Sequence, residues 1–206
     1  MFQKLKRKLL SLTRTRRCNM KRVILILGNI GSGKTTLARN LTEKGPWQPN
    51  RYISIDDMRR QHGNGLMSGD FHAWAFFLEE MENYKNIGCI LRTLILECSG
   101  VGRNNWYIKR YLQEYRDKGI EVFTVLLSAD KTECYDRTLK RGDQKVPFPY
   151  KDMNVKDAIS YMGDKKGEVE MDFYTCSDKL IKIDNTKLSP EQTMNEVIQM
   201  IEEDEE

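Results

Sequence analysis

Short β-branched and leucine-rich runs alternate along this chain with longer stretches whose apolar residues recur every three or four positions. Val23 to Leu27, Tyr52 to Ile55, Thr93 to Leu96, Val122 to Leu127 and Leu180 to Ile183 read as five strands, mostly apolar, as strands covered on both faces are. Helical faces lie between them: Leu37 with Leu41; Phe71, Trp74, Ala75 and Leu78; Ile108, Tyr111, Leu112 and Tyr115; and Met194, Val197, Ile198 and Ile201. Ser189, Pro190 and Gln192 give the last of these an N-cap, a first-turn proline and a capping-box partner. Strand followed by helix, repeated, predicts an α/β fold of three layers, a five-stranded parallel sheet flanked by helices. Phe71, His72, Trp74, Phe76 and Phe77 crowd one helix. The spacing of Phe71, Trp74 and Leu78 predicts burial in the core; the alternative is exposed rings on which bases stack.

The length of 206 residues supports one sizeable core, which we assign to residues 21–201, with a basic tail at 1–20 and an acidic tail at 202–206. No apolar run is long enough for a membrane span. The first 20 residues hold Lys4, Lys6, Arg7, Lys8, Arg14, Arg16 and Arg17 without an acid, and removing these seven from the net charge of +4 leaves −3. A nucleic-acid partner must therefore be recognised by a local patch. The tail reads as a disordered extension, with Met20 as an alternative start, or as a phosphate-binding or targeting arm. Cys18, Cys89, Cys98, Cys134 and Cys176 are scattered and form no C-x-x-C pair. That spacing argues against zinc and for reduced thiols in a cytoplasmic setting.

The strongest chemical signal is Val23 to Thr36, in which an apolar run leads into Gly28-Asn29-Ile30-Gly31-Ser32-Gly33-Lys34-Thr35-Thr36 and then a helix. Glycines let successive N–H groups curl toward an anion, and the helix N-terminus points its free N–H groups and positive dipole end at the same place. This G-x-x-x-x-G-K-T pattern is a P-loop, with Lys34 reaching the β- and γ-phosphates of ATP and the Thr35 hydroxyl ligating Mg²⁺.

Three further clusters bear on where the phosphate goes. The second strand ends in Asp56, Asp57, Arg59 and Arg60; an aspartate there can accept a hydroxyl proton, and an arginine can hold an anionic acceptor. The third ends in Glu97, an acid able to hold Mg²⁺ or the acceptor. Arg137 and Arg141 fall four apart on one helix face, before Gly142 and Pro147 break the helix into a loop.

With these residues in place, the chain from Lys21 to Pro147 resembles P-loop kinases of the 5′-hydroxyl polynucleotide kinase and zeta-toxin type. The resemblance implies that Asp56 is the base, Arg59 the substrate-phosphate arginine, and Arg137 and Arg141 the arginines of a lid that closes on the donor phosphates. Glu97-Cys98-Ser99-Gly100 departs from the aspartate and T-N of the polynucleotide kinases, which bears on acceptor identity. The expectation is an ATP- and Mg²⁺-dependent phosphotransferase. Its acceptor is a hydroxyl on a nucleic acid, either a 5′ end or a hydroxymethylated base. Alternatives are a nucleoside, nucleotide or nucleotide-sugar kinase, or an ATPase without acceptor. A GTPase switch is disfavoured, since N-K-x-D is missing and the D-x-x-G at Asp164 to Gly167 follows no strand.

Overall fold

A computed structural model describes residues 21–63, 67–86, 90–142 and 152–203. The basic tail, Cys18, Cys89, Pro147 and the last three glutamate and aspartate residues lie outside them. Five strands, β1 (Arg22–Gly28), β2 (Asn50–Ser54), β3 (Thr93–Glu97), β4 (Glu121–Ser128) and β5 (Lys179–Asp184), form one parallel sheet in the order β2-β3-β1-β4-β5. Each predicted strand is present within a residue or two. The exception in kind is Ile55, which opens a helix instead of closing β2. There the Ser54 hydroxyl caps the helix by accepting from the Asp56 N–H, so the chain turns immediately.

The helices are α1 (Lys34–Lys44), α2 (Ile55–His62), α3 (Met67–Asn86), α4 (Asn105–Asp117), α5 (Lys131–Lys140), α6 (Val155–Asp164), α7 (Lys166–Tyr174) and α8 (Pro190–Glu202). The central strand β1 explains the layering: successive side chains of a strand face opposite ways, so Val23, Leu25 and Leu27 enter one core and Ile24 and Ile26 the other. The first core is closed by Phe77 and Met81 of α3, Ile108 and Leu112 of α4 and Phe173 of α7. The second is closed by Leu37 and Leu41 of α1 and by Val197 and Ile201 of α8. The Ser189 capping box starts α8 as expected. Among the described residues, no helix is long and apolar enough to cross a membrane.

Helix α3 is rotated from the predicted phase. Its buried stripe is Ala73, Phe77, Met81 and Tyr84, whereas Phe71 is 73% exposed and Ala75 is exposed as well. Trp74 and Leu78 are only partly buried. Two polar anchors account for the rotation: the Tyr84 hydroxyl donates to main-chain carbonyls of Arg22 and Arg92, and Met81's carbonyl accepts from Tyr115. Buried phenols need such partners, and meeting that need turns Phe71 outward. We therefore expect Phe77→Ala to cost about 3–5 kcal/mol, as full burial dictates, and Phe71→Ala to change stability by less than about 0.5 kcal/mol. Urea unfolding of the two variants checks this, and equal losses would refute the observed phase.

Candidate functional site

The Gly28–Thr35 loop joins β1 directly to α1. Gly33, at φ 92°, is the N-cap of α1, and Gly31 has φ 75°, conformations that L side chains rarely adopt. A methyl group on Gly31 would fall 2.2 Å from the carbonyl oxygen of Cys134, so the missing side chain is what lets α5 approach the loop. Asn29 braces the loop from within and without. Its side-chain oxygen accepts from the Ile30 N–H at 2.7 Å and its amide donates to the Ile159 carbonyl at 2.8 Å. The Lys34 ammonium bends back and donates to the Asn29 carbonyl at 2.8 Å, which leaves it at the rim of the loop. Ser32 is buried, and Thr36 is exposed in the first turn of α1.

Thr35 faces Glu97 at the end of β3, donating its hydroxyl proton to Oε1 at 2.7 Å. Glu97 is 2% exposed, and its Oε2 accepts from the Tyr52 hydroxyl of β2. Burial, joined by the neighbouring Glu97 charge, raises the Tyr52 phenol above its ordinary pKa, so it remains a donor at neutral pH.

Asp56 and Asp57 occupy the first turn of α2, where the helix dipole favours acids. The Arg59 guanidinium is held between two carboxylates, with NH1 2.9 Å from Asp56 Oδ1 and Nε 2.7 Å from Asp70 Oδ1 of α3. Cys98 follows Glu97, and its N–H donates to the Ile26 carbonyl of β1 at 3.2 Å. Burial pushes its thiol up to about 12, against the smaller opposing pull of the Lys34 ammonium and Arg59 guanidinium. Lys34 after β1, Glu97 at the end of β3 and Arg59 after β2 thus lie along the sheet's C-terminal edge, where open α/β sheets bind ligands.

Arg137 of α5 approaches from the other side. It donates to Glu133 at 2.7 Å, to the Asn185 side-chain oxygen at 3.2 Å and to the Asn185 carbonyl at 2.9 Å. Asn185, at the end of β5, donates in turn to the Ser32 carbonyl at 2.9 Å. Gly33, Thr36, Arg137, Asn185, Leu188 and Pro190 border a groove of about 380 Å³ beside the α1 N-terminus. A second cavity, about 240 Å³, touches the loop at Gly28 and Asn29 and is closed by Ser128, Lys131, Met162 and Lys166. Arg141 caps the C-terminal end of α5 and is exposed; the loop expected to carry the lid beyond Gly142 lies outside the described residues.

The structure therefore unites the loop residues, Glu97, Asp56, Arg59 and Arg137 at one sheet edge, and leaves Arg141 at its margin. Sequence reasoning missed Tyr52, Asp70 and Asn185. Only Asn185 carried a signal, as a polar residue directly after the last strand.

A family model described as an AAA domain matches residues 23–162. No curated protein matches the chain in sequence. Among solved structures, the chain is similar to shikimate kinase from Acinetobacter baumannii in complex with shikimate, at 12% identity and a TM-score of 0.61, over 92% of this chain and 97% of that one. It is similar to the Deinococcus radiodurans tunicamycin resistance protein at 18% identity and a TM-score of 0.53, over 88% and 95%. It also resembles a chain of the PezAT chromosomal toxin–antitoxin system of Streptococcus pneumoniae, at 17% identity and a TM-score of 0.56, over 95% and 93%. At such identities the likeness is one of fold.

Cys134, against Gly31, and Cys176 are also buried, with thiols raised by that burial. At about pH 8 iodoacetamide should leave Cys98, Cys134 and Cys176 of the native protein unmodified and label them once urea unfolds it. Peptide mass mapping reads this. Labelling of native Cys98 would mean that the edge between Lys34 and Arg59 is open to solvent.

Proposed function

Because the chain belongs to the AAA-domain family, we propose that it is an ATP-dependent kinase that moves the γ-phosphate to an acceptor hydroxyl, and that the acceptor is a nucleic acid. The observation that carries this reading is the Thr35–Glu97 hydrogen bond of 2.7 Å, which ties the phosphate loop to the end of β3, beside β2 and the helix that carries Asp56 and Arg59.

The loop N–H groups and Lys34 hold the β- and γ-phosphates, with the nucleoside in the groove between Arg137 and Leu188. The Thr35 hydroxyl and Glu97 carboxylate are hard oxygen donors suited to Mg²⁺, which takes few protein ligands beside phosphate and water. Among the described residues, no group of three or more His, Cys, Asp or Glu offers a rival metal site. Mg²⁺ held by Thr35 and Glu97 would supply positive charge to offset that of the phosphates. Asp56 accepts the proton of the attacking hydroxyl as its oxygen bonds to the γ-phosphorus and the bond from that phosphorus to the β–γ bridging oxygen breaks, releasing ADP; Arg137, joined by Arg141, stabilises charge on the transferred group. Arg59 uses two of its five N–H donors on Asp56 and Asp70, so others remain for an acceptor phosphate.

Aromatic exposure supports a nucleic-acid acceptor. Phe71 is 73% exposed, and Phe76, 41% exposed, stacks on His62 at 3.8 Å, both on the helix pair that carries Asp56, Arg59 and Asp70. Sequence-tolerant stacking on such rings is how single strands are commonly held. A small-molecule acceptor is favoured instead by the 240 Å³ cavity at Gly28 and Asn29, which has room for a sugar-sized ligand.

The discriminating experiment incubates the protein with γ-labelled ATP, Mg²⁺ and separate pools of 5′-hydroxyl oligonucleotides, hydroxymethylated DNA, nucleosides and sugars. Label in a nucleic-acid pool supports the proposal, label in nucleosides or sugars supports the small-molecule reading, and free phosphate alone supports an ATPase. Lys34→Ala should abolish transfer. Asp56→Asn should lower it roughly 10²–10⁴-fold with calorimetric ATP affinity nearly unchanged. An Asp56→Asn enzyme of full activity would mean that another group takes the proton.

A further inference from the structure

Resting on the kinase reading, we propose that Tyr52 is a positioning residue: its phenol fixes the Glu97 carboxylate, which in turn orients the Thr35 hydroxyl toward Mg²⁺. Neither the loop motif nor the acid that ends β3 points to this residue; the hydrogen bonds do.

Glu97 has two oxygens and a separate hydroxyl on each, Thr35 at Oε1 and Tyr52 at Oε2. At 2% exposure, bulk water has no access with which to replace either donor. The strand register accounts for the reach of Tyr52. In the parallel pairing of β2 with β3, Tyr52 lies beside Ile95 and Ser54 beside Glu97, so Tyr52 and Glu97 are on one face two positions apart. The phenol spans that offset. Its ring packs against the core between the sheet and α1, so the hydroxyl is delivered from a supported base.

The consequence for Thr35 follows from its single proton. A threonine hydroxyl has one donor and two lone pairs. Committing the proton to Glu97 turns the lone pairs away from that carboxylate, toward the mouth of the loop where the phosphates bind. A carboxylate free to rotate would not hold that orientation, and the second donor from Tyr52 prevents the rotation. Outer groups of this kind change metal affinity by about 10–100-fold when removed.

Tyr52→Phe removes only the hydroxyl and keeps the ring. Titration calorimetry of ATP binding across a Mg²⁺ series, with wild type, Tyr52→Phe, Glu97→Gln and the double variant, tests the idea. We expect the half-saturating Mg²⁺ concentration to rise about 10-fold in Tyr52→Phe, with metal-free ATP affinity unchanged and the melting temperature lowered, since a buried acceptor loses its donor. In the Glu97→Gln background the same substitution should add nothing, since its effect travels through that carboxylate. Wild-type Mg²⁺ dependence in Tyr52→Phe, or effects that multiply in the double variant, would overturn the proposal. Should Tyr52→Phe not fold, Glu97→Gln alone must shift the Mg²⁺ dependence the same way or the proposal fails. A wild-type protein that binds no Mg²⁺·ATP overturns the kinase reading and this one with it, whereas normal wild-type binding beside a silent Tyr52→Phe overturns this one alone.

Discussion

The passage from β1 into α1 constrains everything around it, because eight residues must leave a buried strand, curl around the space for an anion and enter a helix. Left-handed φ values at Gly31 and Gly33 make the curl possible, and they also determine what stands next to it. The backbone of α5 occupies the place where a side chain on Gly31 would be, at the Cys134 carbonyl. Arg137 lies three residues further along that helix, close to Gly33. The residues that bend the loop therefore also set the distance from the loop to the arginine.

Buried charge gives the site its chemical bias. Glu97 is nearly sealed from water, and the two side-chain groups that hydrogen-bond its carboxylate are neutral hydroxyls. Such donors satisfy its lone pairs but do not neutralise it, and an uncompensated carboxylate in a low-dielectric setting attracts a cation strongly. Lys34 is near but donates elsewhere, to the Asn29 carbonyl. On the acceptor side the balance is similar, since one guanidinium, Arg59, bridges two carboxylates. The edge is thus acidic around Glu97, Asp56 and Asp70, and basic at Lys34 and Arg137.

Much of this was legible beforehand for a definite reason. Strands covered on both faces need near-continuous apolar runs, and β1, β3 and β4 announce themselves that way, while the edge strands β2 and β5 show shorter, mixed runs; the loop motif is local, so its residue types and spacing are sufficient. Helix phase was harder. The aromatic density of α3 hid its true stripe because Phe71 and Phe77 look equivalent in sequence, and only the hydrogen bonds of Tyr84 and Tyr115 to distant carbonyls select between them. Helices α6 and α7 were not anticipated, since Ala158, Ile159, Met162, Val169 and Phe173 are thinly spread among charged residues. Tyr52, Asp70 and Asn185 join the site through contacts 45, 11 and 48 residues away in sequence, which no local pattern encodes.

Those long-range contacts also change how Arg137 should be understood. The resemblance to P-loop kinases implies that it is an arginine of a lid that closes on the donor phosphates. In the folded chain its guanidinium is already fixed by Glu133 and by two oxygens of Asn185. Asn185 simultaneously holds the Ser32 carbonyl, so the arginine and the phosphate loop rest on the same side chain. Their relative position is therefore set by the fold itself. The packing of β5 against the loop, through Asn185, is thus what places the Arg137 guanidinium beside Gly33.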